Sequence, residues 1–203
     1  MKNPHSNVTA GLPDGSTALH LHYIELIFNT ALSQGIKLWL ESGWAIDARL
    51  GRVTRVHEDI DIAYPQEHHD VYVKLLTDLG FCGYEQLDYG FLMNQNGVLI
   101  DSEPCVKLGG AYELPGFPAG SCPAEPEGWL NGKPIRCISW QAMHFEFMGY
   151  EQEIPKTCWR AKDHESLRLI ELHLSDAGKA ISCVQPGSAP QLCAPDHPKP
   201  HRE

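Results

Sequence analysis

His57-Glu58-Asp59-Ile60-Asp61-Ile62-Ala63-Tyr64 is the stretch that decides the fold of this chain. From Asp59 to Tyr64 polar and apolar residues alternate, the period-two pattern of a half-buried β-strand. Side chains two apart on a strand point the same way, so Asp59 and Asp61 share one face, about 6.5–7 Å apart along the backbone. Ile60 and Ile62 share the other and anchor it to a core. Two carboxylates held side by side repel, which costs stability unless a cation neutralises them, and Asp oxygens suit the hard ion Mg²⁺. Alone, the pair also fits a solvent-facing strand in an acidic chain, so its surroundings decide.

Upstream, a strand is expected over 37–40 and a helix over 44–50, with Ser42-Gly43 at their junction. Small residues there let backbone N–H groups meet a phosphate, which places a triphosphate beside the metal. Arg52 and Arg55, in the loop before Asp59, are within reach of the same phosphates, although a loop arginine is usually solvated. Downstream, strands over 89–93 and 98–102 are joined by Asn96-Gly97, a hairpin signal. Asp101 lies near the end of the second strand with Leu99 and Glu103 on its face. If that strand neighbours the Asp59 strand, three acids converge, and Asp101 can take the proton from an attacking hydroxyl.

Outside this centre, Ser16 or Thr17 caps an expected helix that carries Leu19, Tyr23, Ile27 and Ala31 on one face and stops at Gly35. A further helix is expected over 66–79, ending before Gly80. Residues 109–132 are crowded with Gly and Pro and read as a connection between lobes. Ser139 then caps a helix to about 147, and a last helix over 163–174 buries Leu167, Ile170 and Leu174. The expected organisation is a loose arm over 1–16, a first domain over 17–105 that carries the acids, a connection and helical lobe over 106–184, and a disordered proline-rich tail over 185–203.

The chain has 203 residues, 42% of them hydrophobic, which is enough for a real core. Its formal charge of −10 opposes binding to nucleic acid and would concentrate a cationic small molecule. Seven cysteines without a C-x-x-C pair point to free thiols. The polar start Met-Lys-Asn-Pro-His-Ser-Asn and the short apolar runs predict no export signal, no membrane helix and a cytoplasmic protein.

Leu38-Trp39, Gly43-Trp44-Ala45-Ile46-Asp47-Ala48-Arg49-Leu50-Gly51-Arg52-Val53-Thr54-Arg55, His57 and Asp59-Ile60-Asp61 closely resemble the aminoglycoside-2''-adenylyltransferases. The match continues through Leu87-Asp88-Tyr89-Gly90-Phe91-Leu92, Asp101 with Glu103-Pro104, Gly120-Ser121-Cys122-Pro123, Arg136-Cys137, Ser139-Trp140, Lys162, Glu165-Ser166 and Arg168-Leu169, spanning about 36–170. The resemblance implies an α+β polymerase-β-like nucleotidyltransferase fold, a mixed sheet with helices followed by a smaller, mostly helical lobe, with the active site between. It implies transfer of AMP from ATP to a hydroxyl of a cationic aminoglycoside, with pyrophosphate released, two Mg²⁺ ions and antibiotic resistance as the outcome. In its terms Asp59 and Asp61 hold Mg²⁺, Asp101 is the general base, Glu103 binds the amino sugar, and Lys162 faces the triphosphate. The chain departs from the family where Glu41-Ser42-Gly43 replaces a run of glycines, since an acid near this position is familiar from lincosamide nucleotidyltransferases. Glu146, Gly149 and Tyr150 also diverge, in a region able to shape the drug pocket.

Three other functions compete. A lincosamide nucleotidyltransferase would share the metal site but take a monocation, whereas acids around the acceptor, chiefly Glu103, Glu113 and Glu146, would mark a polycationic drug. A catalytically silent nucleotidyltransferase-like binding protein would not need all three carboxylates. A phosphohydrolase using Asp59 as nucleophile would release inorganic phosphate. Trp44, Ile46, Trp140 and Trp159 are expected in the core, and His57 is open between a phosphate contact, a support for Asp59 and a turn residue.

Overall fold

The computed structural model describes residues 15–182, with side chains to 175. The expected arm and tail lie outside these residues, apart from the first two positions of helix α1. Helix α1 (Gly15–Ser33) buries Tyr23, Ile27 and Ala31 as expected, together with Leu21 and Ile24. It begins before Ser16, so neither Ser16 nor Thr17 stands ahead of it as a cap. Strand β1 (Trp39–Leu40), helix α2 (Ser42–Leu50), strand β2 (Asp59–Pro65) and helix α3 (His69–Asp78) follow.

Strands β3 (Cys82–Gln86), β4 (Phe91–Gln95) and β5 (Val98–Leu108) complete the main sheet, whose order is β1-β2-β5-β4-β3 with β6 (Ala111–Glu113) paired to β5. β2 and β5 are parallel, and the remaining pairs are antiparallel. The sheet is therefore mixed, as the resemblance implies. Gln95 pairs with Val98 across Asn96 (φ 53°) and Gly97 (φ 81°), the two-residue left-handed turn that an Asn-Gly hairpin needs.

One face of the sheet carries Ile60, Ile62, Ile100 and Ser102, all fully buried, against α1 and α3. Burying this face fixes the register, because a slip of one residue would drive the acids of the opposite face into the core. The Gly- and Pro-rich stretch expected as a plain connection contains β6, β7 (Gly128–Leu130) and part of the turn to β8 (Lys133–Ile135), and β7 pairs with β8 against α2. β5 also runs on to Leu108, past residue 105, so the two-domain division stays a proposal. Helices α4 (Trp140–Glu153) and α5 (Ala161–Ser182) pack on each other, with Ser139 accepting a cap hydrogen bond from the Ala142 N–H. No helix among the described residues is long and apolar enough to cross a membrane.

Candidate active site

The parallel ladder of β2 and β5 sets Asp61 opposite Asp101, Asp59 opposite Leu99 and Ala63 opposite Glu103. Because side chains alternate, Asp59, Asp61, Asp101 and Glu103 all project from the face that is not packed on α1 and α3. The strand neighbourhood on which the three-acid expectation depends is therefore present. Glu41 follows β1 and is tied to the same place by its N–H, which donates to the Asp61 carbonyl at 2.9 Å.

The collected acids disturb one another. Burial lifts the Asp61 carboxyl well above the usual range, and the charges of Asp59, Glu146 and Asp101 lift it further against the pull of Arg55. Burial raises Asp101 too, opposed by the Tyr89 hydroxyl, which donates to its Oδ2 at 2.9 Å. The next residue, Gly90, lies so close to β5 that a Cβ there would collide with the Ser102 carbonyl. Glu103 is pushed up to about 7 by burial and by the nearby charges of Glu146 and Asp101. Burial also raises Glu146 and Glu41. In this group of five acids with raised carboxyls, burial and mutual repulsion outweigh the pull of Arg55 on Asp61.

Asp59 and Asp61 offer an all-oxygen donor pair of the kind Mg²⁺ takes, and a divalent ion would offset the charge that strains Asp61, so the residues fit the metal. Among the described residues no three His, Cys, Asp or Glu side chains form a metal-holding group by themselves. This is consistent with the habit of Mg²⁺, which takes one or two carboxylates and completes its shell with substrate phosphates and water.

Asp59, Asp61 and Glu146 open onto a cleft of about 490 Å³ that is also lined by Ser42, Gly43, Arg55 and Lys162, among others. Ser42 (φ 46°) starts α2 in the left-handed region, and no side chain caps this helix end. Its hydroxyl donates to Glu146 Oε1 at 2.9 Å, joining α2 to α4. Gly43 is packed so closely that a Cβ would lie 2.6 Å from His57 Nδ1 and would also meet the Arg55 guanidinium. His57 cannot move aside easily. Its Nε2 lies 2.6 Å from Asp47 Oδ2, its ring lies tilted against Trp44 with centroids 4.3 Å apart, and Asp47 is further held by the N–H and hydroxyl of Thr54. His57 is thus a buried, partnered residue behind the Ser42-Gly43 turn, and Trp44 and Ile46 are core residues as expected.

Asp101, Glu103 and Glu113 are not among the residues lining the cleft; Asp101 and Glu103 stand beside its acids on β5, opposite Asp61 and Ala63, whereas Glu113 lies on β6. Burial pushes the Glu113 carboxyl up, but hydrogen bonds from Gly120 N–H, Ser121 N–H and the Ser121 hydroxyl prevail and hold it low. It organises the turn that carries Gly120 and Ser121. Sequence reasoning missed Arg160 and Asp163. The Asp163 carboxylate accepts the Arg160 N–H at 3.0 Å and its guanidinium at 2.9 and 3.0 Å, at the start of α5. An Asp three residues inside a helix start is a capping signal that marks this pair. Phe117, Phe145, Phe147 and Tyr150 form an apolar wall of the cleft, of which only Tyr150 was singled out.

A parallel strand pair carrying Asp59, Asp61 and Asp101, beside a small-residue turn at a helix start, defines a nucleotidyltransferase of the polymerase-β type. Residues 23–179 match the family model of the aminoglycoside-2''-adenylyltransferases, and the chain belongs to that family. A 2''-aminoglycoside nucleotidyltransferase of Escherichia coli is 43% identical over 146 residues, covering 72% of this chain and 82% of the relative. The crystal structure of ANT(2'')-Ia in complex with adenylyl-2''-tobramycin superposes with a TM-score of 0.77 at 39% identity, covering 80% of this chain and 94% of that one. A lincosamide resistance protein of Staphylococcus haemolyticus is 34% identical over 150 residues, covering 63% of this chain and 84% of that protein.

Proposed function

We propose that this protein transfers AMP from ATP to a hydroxyl of an aminoglycoside in a Mg²⁺-dependent reaction that releases pyrophosphate, acts in the cytoplasm and confers resistance. The observation that carries this reading is the facing of Asp61 and Asp101 across β2 and β5, with Asp59 on the same face. In this reading Asp59 and Asp61 hold two Mg²⁺ ions. The metal, when bound, neutralises the triphosphate and the charge that develops on the leaving pyrophosphate. Ser42 and Gly43 cradle phosphate through the start of α2, with Arg55 and Lys162 supplying positive charge. Asp101 accepts the proton of the acceptor hydroxyl, and the Tyr89 hydroxyl bond to its Oδ2 orients it.

The acceptor is read from the acids that remain. Glu103 and Glu146, joined by Glu41, offer carboxylates that ammonium groups would satisfy. That density favours a polycation over the single charge of a lincosamide, even though Glu41 is itself a feature shared with lincosamide enzymes. Incubation with Mg²⁺, ATP or GTP and a panel of both drug classes, with products identified by mass, tests the reading. One added adenylyl group on aminoglycosides is expected, and nucleotidylated lincosamide alone would overturn the choice of acceptor.

A further inference from the structure

Glu58 stands at the mouth of the cleft, one residue before β2, and carries two cations. Its Oε2 lies 2.7 Å from Lys162 Nζ and 3.6 Å from Arg160 Nη1, both from the start of α5. The three partners differ in how firmly they are held. Asp163 fixes the Arg160 guanidinium from behind, and the Lys162 side chain is 23% exposed, whereas Glu58 is 69% exposed. The Arg160 side chain is itself 59% exposed, but Asp163 holds it without Glu58, whereas among the described residues Glu58 is paired with these two cations alone and can leave.

We propose that Glu58 is an internal competitor of the polyphosphate: it covers Lys162 and Arg160 in the empty cleft, swings out when triphosphate arrives, and returns to help expel pyrophosphate. This rests on the nucleotidyltransferase reading above. An exposed ion pair contributes only about 0–1 kcal/mol, so Glu58 gives way readily to a ligand bearing several charges and less readily to a lone monoanion. After transfer, pyrophosphate is no longer tethered to the nucleoside that bound with it, and the returning carboxylate, itself tethered to the chain, competes at high effective concentration with a ligand that has lost those contacts. Glu58 therefore sets the balance between capturing nucleotide and releasing product, and it selects for polyphosphates over simple anions.

The test uses Glu58→Gln, which keeps the size and removes the charge. The affinity for inorganic pyrophosphate is measured by calorimetry without metal or drug, and Glu165→Gln serves as a charge control, because Glu165 pairs with Arg168 and is not among the residues lining the cleft. Glu58→Gln should bind pyrophosphate about three- to tenfold tighter, as expected for loss of one ion pair and of one nearby repelling charge, while the control binds as the native protein does. Under turnover, the KM for ATP should fall and inhibition by pyrophosphate should strengthen. Unchanged or weaker pyrophosphate binding in Glu58→Gln, or equal tightening in the control, would overturn the proposal. Lys162→Met guards against a trivial gain and should lose most of the binding; native-like affinity there would also overturn it. The readout is equilibrium binding, so failure of the native protein to transfer AMP would count against the proposed function alone.

Discussion

Asp61 of β2 and Asp101 of β5 face each other in a parallel ladder, and the charge of Asp101 is one of those that lift the Asp61 carboxyl. A divalent ion bound between these carboxylates would relieve the repulsion. Replacing Asp61 by Asn should therefore abolish AMP transfer and leave the metal-free fold more stable, with Tm higher by about 2–4 °C for each kcal/mol relieved. Near-normal turnover by Asp61→Asn would remove the metal assignment.

The same electrostatics predict a pH dependence of stability. Glu103 titrates near 7 in the folded protein against an ordinary value of 4.5, so the folded state binds more protons than the unfolded between these values. Its contribution is complete below about 4.5 and is lost as pH rises through about 7. Glu41, Asp61, Asp101 and Glu146 are raised in the same direction. Glu58, Glu67, Glu113, Asp163 and Glu165 are lowered, and their stabilisation disappears only at acid pH below the usual carboxylate range. Melting temperature should accordingly decline from mildly acidic pH toward pH 8, and Mg²⁺ or a polycationic drug should flatten the decline. A metal-free Tm that climbs steadily from pH 5 to pH 8 would show that the acid cluster is not strained.

Gly43→Ala tests the turn at the start of α2. The added Cβ would press on His57, which Asp47 and Trp44 hold in place, so the clash falls on a locked ring. A loss of about 1–3 kcal/mol in denaturant unfolding is expected, the usual span for overpacking, together with a higher KM for ATP. An Ala variant with native stability and KM would mean that His57 yields freely.

Aminoglycoside binding should weaken as salt rises, because the attraction between a polycation and the Glu41, Glu103 and Glu146 face is screened. Calorimetric titration at increasing NaCl checks this. Salt-independent affinity would favour a weakly charged acceptor.

Much of the site was legible because it rests on period and sign. Alternation from Asp59 to Tyr64 put two acids on one face, and Asn96-Gly97 fixed the hairpin that carries Asp101. That β2 and β5 are neighbours was not local information, since the residues between them form α3 and two other strands. β3 escaped notice because every residue of Cys82–Gln86 is exposed on a sheet edge, which leaves no buried face to pattern. β7 and β8 were hidden by Gly and Pro, which usually interrupt strands but here flank a short turn. The bonds of Glu113 were not legible, because charge alone does not reveal that a carboxylate accepts from backbone N–H groups such as those of Gly120 and Ser121. Glu146 lay far from β2 in sequence, and its hydrogen bond to Ser42 depends on how α4 packs.

The most direct test of the account concerns Asp101 as base. A sugar hydroxyl remains a poor nucleophile until its proton has an acceptor, whatever neutralises the phosphates. Asp101→Asn keeps the shape of the side chain and can still meet the Tyr89 hydroxyl, but it cannot take that proton. Single-turnover AMP transfer, with nucleotide affinity measured separately, should fall by about 10²–10⁴-fold while ATP binding changes little. A loss smaller than about tenfold would contradict the account and leave Glu103 or solvent as the proton acceptor.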